Sequence, residues 1–150
     1  MPKTFETLSL QDAKRMLAAG EAKADQIGVP YNIAVVDAGG HLVAFSHQDG
    51  ALIASIDLAI HKAFTARACD MSTGDLAELA QPGKPLYGIQ CSNGGKIVIF
   101  GGGLPIRRNG VVIGAIGASA GTVEQDIEVA EAAAGAIEPP MQSAPVGVQR

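Results

Sequence analysis

The stretch that most constrains this chain is "ALIASIDLAIHKAFTARAC", residues 51–69. No Gly or Pro interrupts it, and Asp49 or Gly50 can open it, so the spacing predicts one long helix. Its apolar residues cover more than a single stripe. Leu52, Ile56, Ala59 and Ala63 fall on one face, while Ile53, Ile60 and Phe64 fall toward another. A helix apolar on most sides is buried on most sides. One sheet can cover only part of it, so the chain is expected to self-associate, at least as a dimer. Ala51, Ala54, Ala59, Ala63 and Ala66 would permit the close approach.

Around this helix the sequence supplies hairpins. Ser9 with Asp12 reads as a capped helix start, Leu10 to Ile27 recurs at helical spacing, and Gly28 with Pro30 stops the run. "YNIAVVD" and "HLVAFSH" flank "AGG" as two strands and a turn, with Asp37 as a turn residue bonding local backbone. "STGDLAELAQ" reads as a short helix opened near Ser72 or Thr73. Residues 82–95, with two Pro and four Gly, read as an irregular loop of the kind that often borders sites. "KIVIF" and "VVIGAIGAS" read as strands, and "RRNG" carries the Asn-Gly pair of a type I′ turn. Thr122 and Gln125 have capping-box spacing ahead of a last helix bearing Ile127, Ala130, Ala134 and Ile137. The chain is thus expected to be α+β: a mainly antiparallel sheet of about five strands with helices packed on it. One domain is expected over 1–138, with a disordered tail over 139–150.

Composition narrows the partners. With 150 residues, 47% hydrophobic, net charge −4 and 4% aromatic, the chain has neither a basic cluster for phosphates nor an aromatic platform for bases, which argues against nucleic acid. No stretch reaches the ~18 apolar residues of a membrane helix, and no signal peptide opens the chain, so no membrane partner and a cytoplasmic location are expected. Cys69 and Cys91 lack the spacing of a metal or redox pair, and no metal site is expected.

The glycines Gly101, Gly102 and Gly103 follow an apolar run but feed Leu104-Pro105-Ile106, which is extended, and Lys96 lies on the wrong side for a phosphate loop. They leave room for a neighbour's backbone or a flat ligand. A second set, Gly114, Gly117 and Gly121, ends at the last helix, where free N–H groups can hold a carboxylate or another anion beside Ser119, or simply allow tight strand–helix packing. Lys62 is unusual in an apolar helix. Either its stem runs along the surface or its ammonium is buried against a partner such as Asp49. His41 and His47 bracket one strand about 20 Å long and cannot share one metal. His61 lies four residues after Asp57, in reach of an Asp–His contact.

Several of these stretches in order, "VVDAGGHLVAF" (35–45), "DGA" (49–51), "AIHKAFTA" (59–66), "FGGGLPI" (100–106), "GVVIGAIGASAG" (110–121) and "EQDIEVAEAA" (124–133), resemble the GlcG/HbpS family, which includes the C-terminal domain of PduO-type proteins. The resemblance spans roughly residues 7–137. It implies a profilin-like sandwich, self-association, and binding of haem or a related tetrapyrrole in some members. One departure stands out: His47 in "AFSHQDGA" falls where the family commonly carries Arg, which would make a contact to an acidic ligand weaker and pH-sensitive. Two functions follow as expectations. The first is a small cytoplasmic binding protein for haem or a similar flat ligand, with His41, His47, Asp49, Lys62, Gly101, Gly102, Gly103 and Ser119 as ligand-binding candidates. The pocket is expected between the glycine corner and the helix carrying Lys62, and Lys62→Met is expected to keep stability within ~1 kcal/mol. The alternative is a metal-independent small enzyme or enzyme accessory acting on a small carbonyl or aromatic compound, with Lys62, Asp49 and His47 as its acid–base groups.

Overall fold

A computed structural model describes residues 1–137; the tail expected over 139–150 lies outside the described residues. The element order is α1 (Leu10–Ile27), β1 (Asn32–Asp37), β2 (Leu42–His47), α2 (Ala54–Cys69), α3 (Thr73–Leu79), β3 (Gly103–Arg108), β4 (Val111–Ser119) and α4 (Val123–Ala134). Two 3₁₀ turns, Ile89–Cys91 and Asn93–Gly95, punctuate the long loop after α3.

The helix ends follow local chemistry. Ser9 and Asp12 form a reciprocal capping box at α1, and Gly28 closes that helix in the left-handed conformation. Thr122 and Gln125 form a second box at α4, and the Ser72 hydroxyl accepts from Asp75 N at α3. Asn109 and Gly110 both have positive φ in the two-residue β3–β4 connection, as a type I′ turn requires.

Among the described residues the sheet has four strands in the order β2-β1-β4-β3, every pair antiparallel. The expected count of about five is corrected by "KIVIF". Ile97 and Val98 are buried, but their segment forms no strand. Its backbone bonds go to a helix side chain instead: Val98 N donates to Thr65 Oγ1, which donates to the Lys96 carbonyl. Apolar character there serves packing under α2, not pairing.

Both sheet faces are covered. Ile33, Val35, Ile116 and Ala118 pack with Met16 and Ala24 of α1 and with Val129, Ala130 and Ala133 of α4. Ala34, Val36 and Ala115 pack with Ala59, Ala63 and Ala66 of α2. The contact expected of α2 is corrected here, because Ala51, Ala59, Ala63 and Ala66 are buried within the chain and cannot meet a second copy. Small residues face the sheet because α2 lies almost on its backbone. A Cβ on Gly117 would come within 2.1 Å of the Ala59 carbonyl and 2.6 Å of Ala63 N. The bulky residues Ile53, Ile56, Ile60 and Phe64 are left on the outer side, exposed or half-buried.

Candidate functional site

The close approach of α2 determines where Lys62 goes. Gly103 lies beneath the Lys62 backbone, and Gly102, at φ +123°, lies against its stem. The side chain therefore passes the end of the sheet with no solvent exposure, and Nζ donates to Asp126 Oδ2 at 2.7 Å and to the Ala118 carbonyl at 3.0 Å. The Phe100 ring centroid lies 4.8 Å from the same nitrogen. Asp126, on the buried side of α4, uses its other oxygen to accept from Tyr31 OH at 2.8 Å, Gly121 N at 3.0 Å and Ala120 N at 3.1 Å. Burial pulls the Lys62 ammonium below the usual lysine range, opposed by its hydrogen bond to Asp126. Burial, reinforced by the bond to Asp126, holds the Tyr31 phenol well above its ordinary range.

The N–H groups before α4 thus hold a carboxylate, and it is the chain's own. Lys62 pairs with Asp126 rather than Asp49. Chemically this knot ties α2, β1, β4 and α4 together. The amine is fully enclosed, so in this conformation it offers no nucleophile to an outside molecule.

Gly101, Gly102 and Gly103 do border a cleft, of about 460 Å³. Its apolar floor is Phe100, Leu104, Val123 and Ile127, and its charged residues are Asp75, Glu78 and Glu131. Lys62 lies behind the glycine wall, since a Cβ on Gly102 would sit 2.7 Å from Nζ.

The other candidates fall elsewhere. His47 and Asp49 line a polar cleft of about 650 Å³ at the end of α1, with Glu21, Asp25 and Ser46. Ser119 is buried opposite Asn32 in the β1–β4 register. His41 stands on the β1–β2 turn. The structure therefore brings the glycine corner and Lys62 to two sides of one wall, brings His47 and Asp49 to one cleft, and leaves His41 and Ser119 apart from both. Lys62, Asp49 and His47 do not share a site.

Each histidine has its Nδ1 beside an oxygen. His41 faces Asp37 Oδ1 at 3.2 Å, His47 faces Asn32 Oδ1 at 2.5 Å, and His61 faces Asp57 Oδ2 at 3.2 Å, the contact its spacing predicts. No Nε2 has a partner among the described residues. The His41 side chain is 80% exposed. Its ring lies against Gly39, and Gly39 and Gly40 form a third cleft of about 310 Å³ with Phe64 and Arg67. Lys96 Nζ lies 5.6 Å from the Phe64 ring centroid. Arg67 is held by the Ala38 carbonyl and by Asp70.

Sequence reasoning missed Asp126, Tyr31 and Asn32. Asp126 had a signal: 126, 129, 130, 133 and 134 form the buried stripe of α4, and an acid on such a stripe needs a partner. Asn32 bonds the Leu52 carbonyl and His47 across the sheet, and Tyr31 reaches 95 positions along the chain, contacts without a local pattern.

Four antiparallel strands, one helix on one face and two on the other, with a glycine corner open to a cleft, define a small α+β sandwich domain. The chain belongs to the family described as haem degrading protein HbpS-like, whose model matches residues 8–135. It is 48% identical over 127 residues to an uncharacterized 15.0 kDa protein of the dhaT-dhaS intergenic region of Citrobacter freundii, covering 85% of this chain and 89% of that one. It is 40% identical over 130 residues to the corrinoid adenosyltransferase PduO of Salmonella typhimurium; that match takes in 87% of this chain but only 39% of PduO. Among solved structures, Klebsiella pneumoniae protein ORFY superposes with a TM-score of 0.88 at 41% identity, over 90% of this chain and 93% of that one. A PduOC:Heme complex gives 0.84 at 40% identity, over 87% and 94%.

Proposed function

We propose that this chain is a cytoplasmic, self-associating binding protein for haem or a related tetrapyrrole, with His41 as the iron ligand. The observation that carries the reading is the Asp37–His41 pair. A histidine that ligates a metal usually gives its other ring N–H to a carboxylate, which fixes the tautomer and leaves Nε2 for the metal. Here Nδ1 lies 3.2 Å from Asp37 Oδ1, and the ring is open to a large ligand. The His41 ring lies over Gly39, beside a cleft in which Gly40 carries no side chain and Phe64 offers an apolar contact, and Lys96, 5.6 Å from the Phe64 ring, would supply a cation to a propionate. The donor set fits the group. The likeness to the PduOC:Heme complex supports the same reading, and the free thiols of Cys69 and Cys91 suit a reducing compartment. The test is titration of haem into apoprotein. A Soret band is expected with the wild type, His47→Ala and His61→Ala, and its loss is expected with His41→Ala. An unchanged band in His41→Ala would overturn the assignment.

Self-association is proposed through the outer side of α2, where Ile53 is 81% exposed and Ile56, Ile60 and Phe64 continue the strip. Ile60→Arg should convert an oligomer to monomer in sedimentation at micromolar concentration. A wild type that already sediments as a monomer would remove the claim.

A further inference from the structure

The glycine-corner cleft takes no part in the haem reading. No histidine lines it, and Asp75, Glu78 and Glu131 would repel a propionate. Its composition is nonetheless that of a binding site: an apolar floor, a glycine wall without side chains, and charge of one sign at the rim. The acids come from two directions. Asp75 and Glu78, three residues apart, present one side of α3. Glu131 follows Ile127 by one turn of α4, so apolar floor and carboxylate belong to a single stripe.

None of the three carboxylates has a hydrogen bond or ion pair among the described residues. Asp75 has a structural reason to be acidic, since it sits in the first turn of its helix, where the dipole favours negative charge. Glu78 and Glu131 have no such reason. Among the described residues, no Lys, Arg or His lines the cleft to balance them. The nearest ammonium behind the wall, Lys62, is already paired with Asp126 at 2.7 Å. The floor also includes Phe100, an aromatic ring of the kind that attracts cations, as its position over Lys62 shows.

We infer that this cleft is a second binding site, for a small organic amine whose apolar body lies on Phe100, Leu104, Val123 and Ile127 while its ammonium meets Glu78 and Glu131. The volume of about 460 Å³ falls in the range of small-molecule sites and suits a body of one ring with a short chain. The bare glycine wall lets that body reach the floor. Charge sets the sign of selection, and apolar contact supplies most of the affinity.

The test compares three probes sharing one body: 4-phenylbutylamine, 4-phenylbutan-1-ol and 4-phenylbutyrate, measured by calorimetry on the full chain at low salt. The amine should bind about fivefold or more tightly than the carboxylate, the preference that a few exposed ion pairs provide, with the alcohol between them. Raising salt should shrink the preference. Replacing both rim acids (Glu78→Gln with Glu131→Gln) should abolish it while leaving the alcohol's affinity unchanged. Both positions are exposed, so the variant should fold as the wild type does. The inference is overturned if no probe binds at millimolar concentration, if the carboxylate binds as well as the amine, or if the double variant keeps the preference. The haem titration is independent: the double variant should retain its Soret band, and failure of His41 as a ligand would leave the amine site standing.

Discussion

Lys62 and His41 each place a nitrogen against a carboxylate, yet they sit at opposite extremes of solvent. The Lys62–Asp126 pair is closed at 2.7 Å with side chains 0% and 4% exposed. The His41–Asp37 pair is open at 3.2 Å with side chains 80% and 27% exposed. In the interior each charge requires the other, since an unpaired buried ion is far costlier than the pair. At the surface water supplies an alternative partner, and the pair contributes little to stability. The difference separates structure from chemistry. The tighter pair spends its reactive nitrogen on holding four elements together, while the looser pair leaves Nε2 free.

The sharpest way to break this comparison is Lys62→Met. It leaves Asp126 buried without its cation, although Tyr31 OH and two backbone N–H groups still bond it. A loss of about 3–5 kcal/mol is expected, read by chemical denaturation. The sequence-based figure of ~1 kcal/mol rested on Met retaining most of the stem volume, and it leaves out the buried carboxylate of Asp126 that the substitution strips of its cation. A variant within 1 kcal/mol of wild type would show the knot to be dispensable, and Lys62 would regain its standing as a functional residue.

Tyr31→Phe tests the same knot more gently. It removes one buried hydrogen bond to Asp126 and should cost about 1–3 kcal/mol near neutral pH. The cost should depend on pH in one direction. The folded protein keeps the Tyr31 phenol protonated above its ordinary range, whereas the unfolded chain releases that proton near pH 10. Above about pH 10 the folded state therefore binds more protons, and stability falls as pH rises. Wild type should lose more than Tyr31→Phe in that window, so the gap between them should narrow. A gap that stays constant from pH 8 to 11 would mean that the phenol is not held protonated by the fold.

Much of the architecture was legible because its signals are local. The capping residues Ser9, Asp12, Thr122 and Gln125, the stop at Gly28 and the Asn109-Gly110 turn each act over a few positions. What failed was decided by partners far along the chain. "KIVIF" has strand composition, but Thr65 on α2 captures its backbone bonds, and the sheet stops at four strands. Lys62 was recognisable as an oddity in an apolar helix, but its partner lies 64 positions away. The alanines of α2 were read as an intermolecular surface because nothing in the pattern states that Gly117 brings the helix onto the sheet. For the candidate site, residue types were legible and their grouping was not. The sequence singled out the histidines, but only the fold shows Asp37 behind His41, and only the fold brings carboxylates of α3 and α4 to the rim of one cleft.

The smallest effect on stability should come from His41→Ala, the variant whose loss of the Soret band tests haem ligation. The ring makes one contact to Asp37, and Asp37 keeps its bonds from Gly39 N and His41 N when the imidazole is gone. The turn that holds β1 to β2 is therefore intact without the side chain. Exposed positions with no cavity, cap or network to lose usually stay within about 0.5 kcal/mol. Denaturation midpoints of wild type and His41→Ala should coincide within that margin, because an exposed pair contributes little to stability. A larger loss would mean that the Asp37–His41 pair stabilises the hairpin as the Lys62 knot stabilises the core. The contrast between the two pairs would then collapse, and a lost Soret band in that variant would report a disturbed turn rather than a missing ligand.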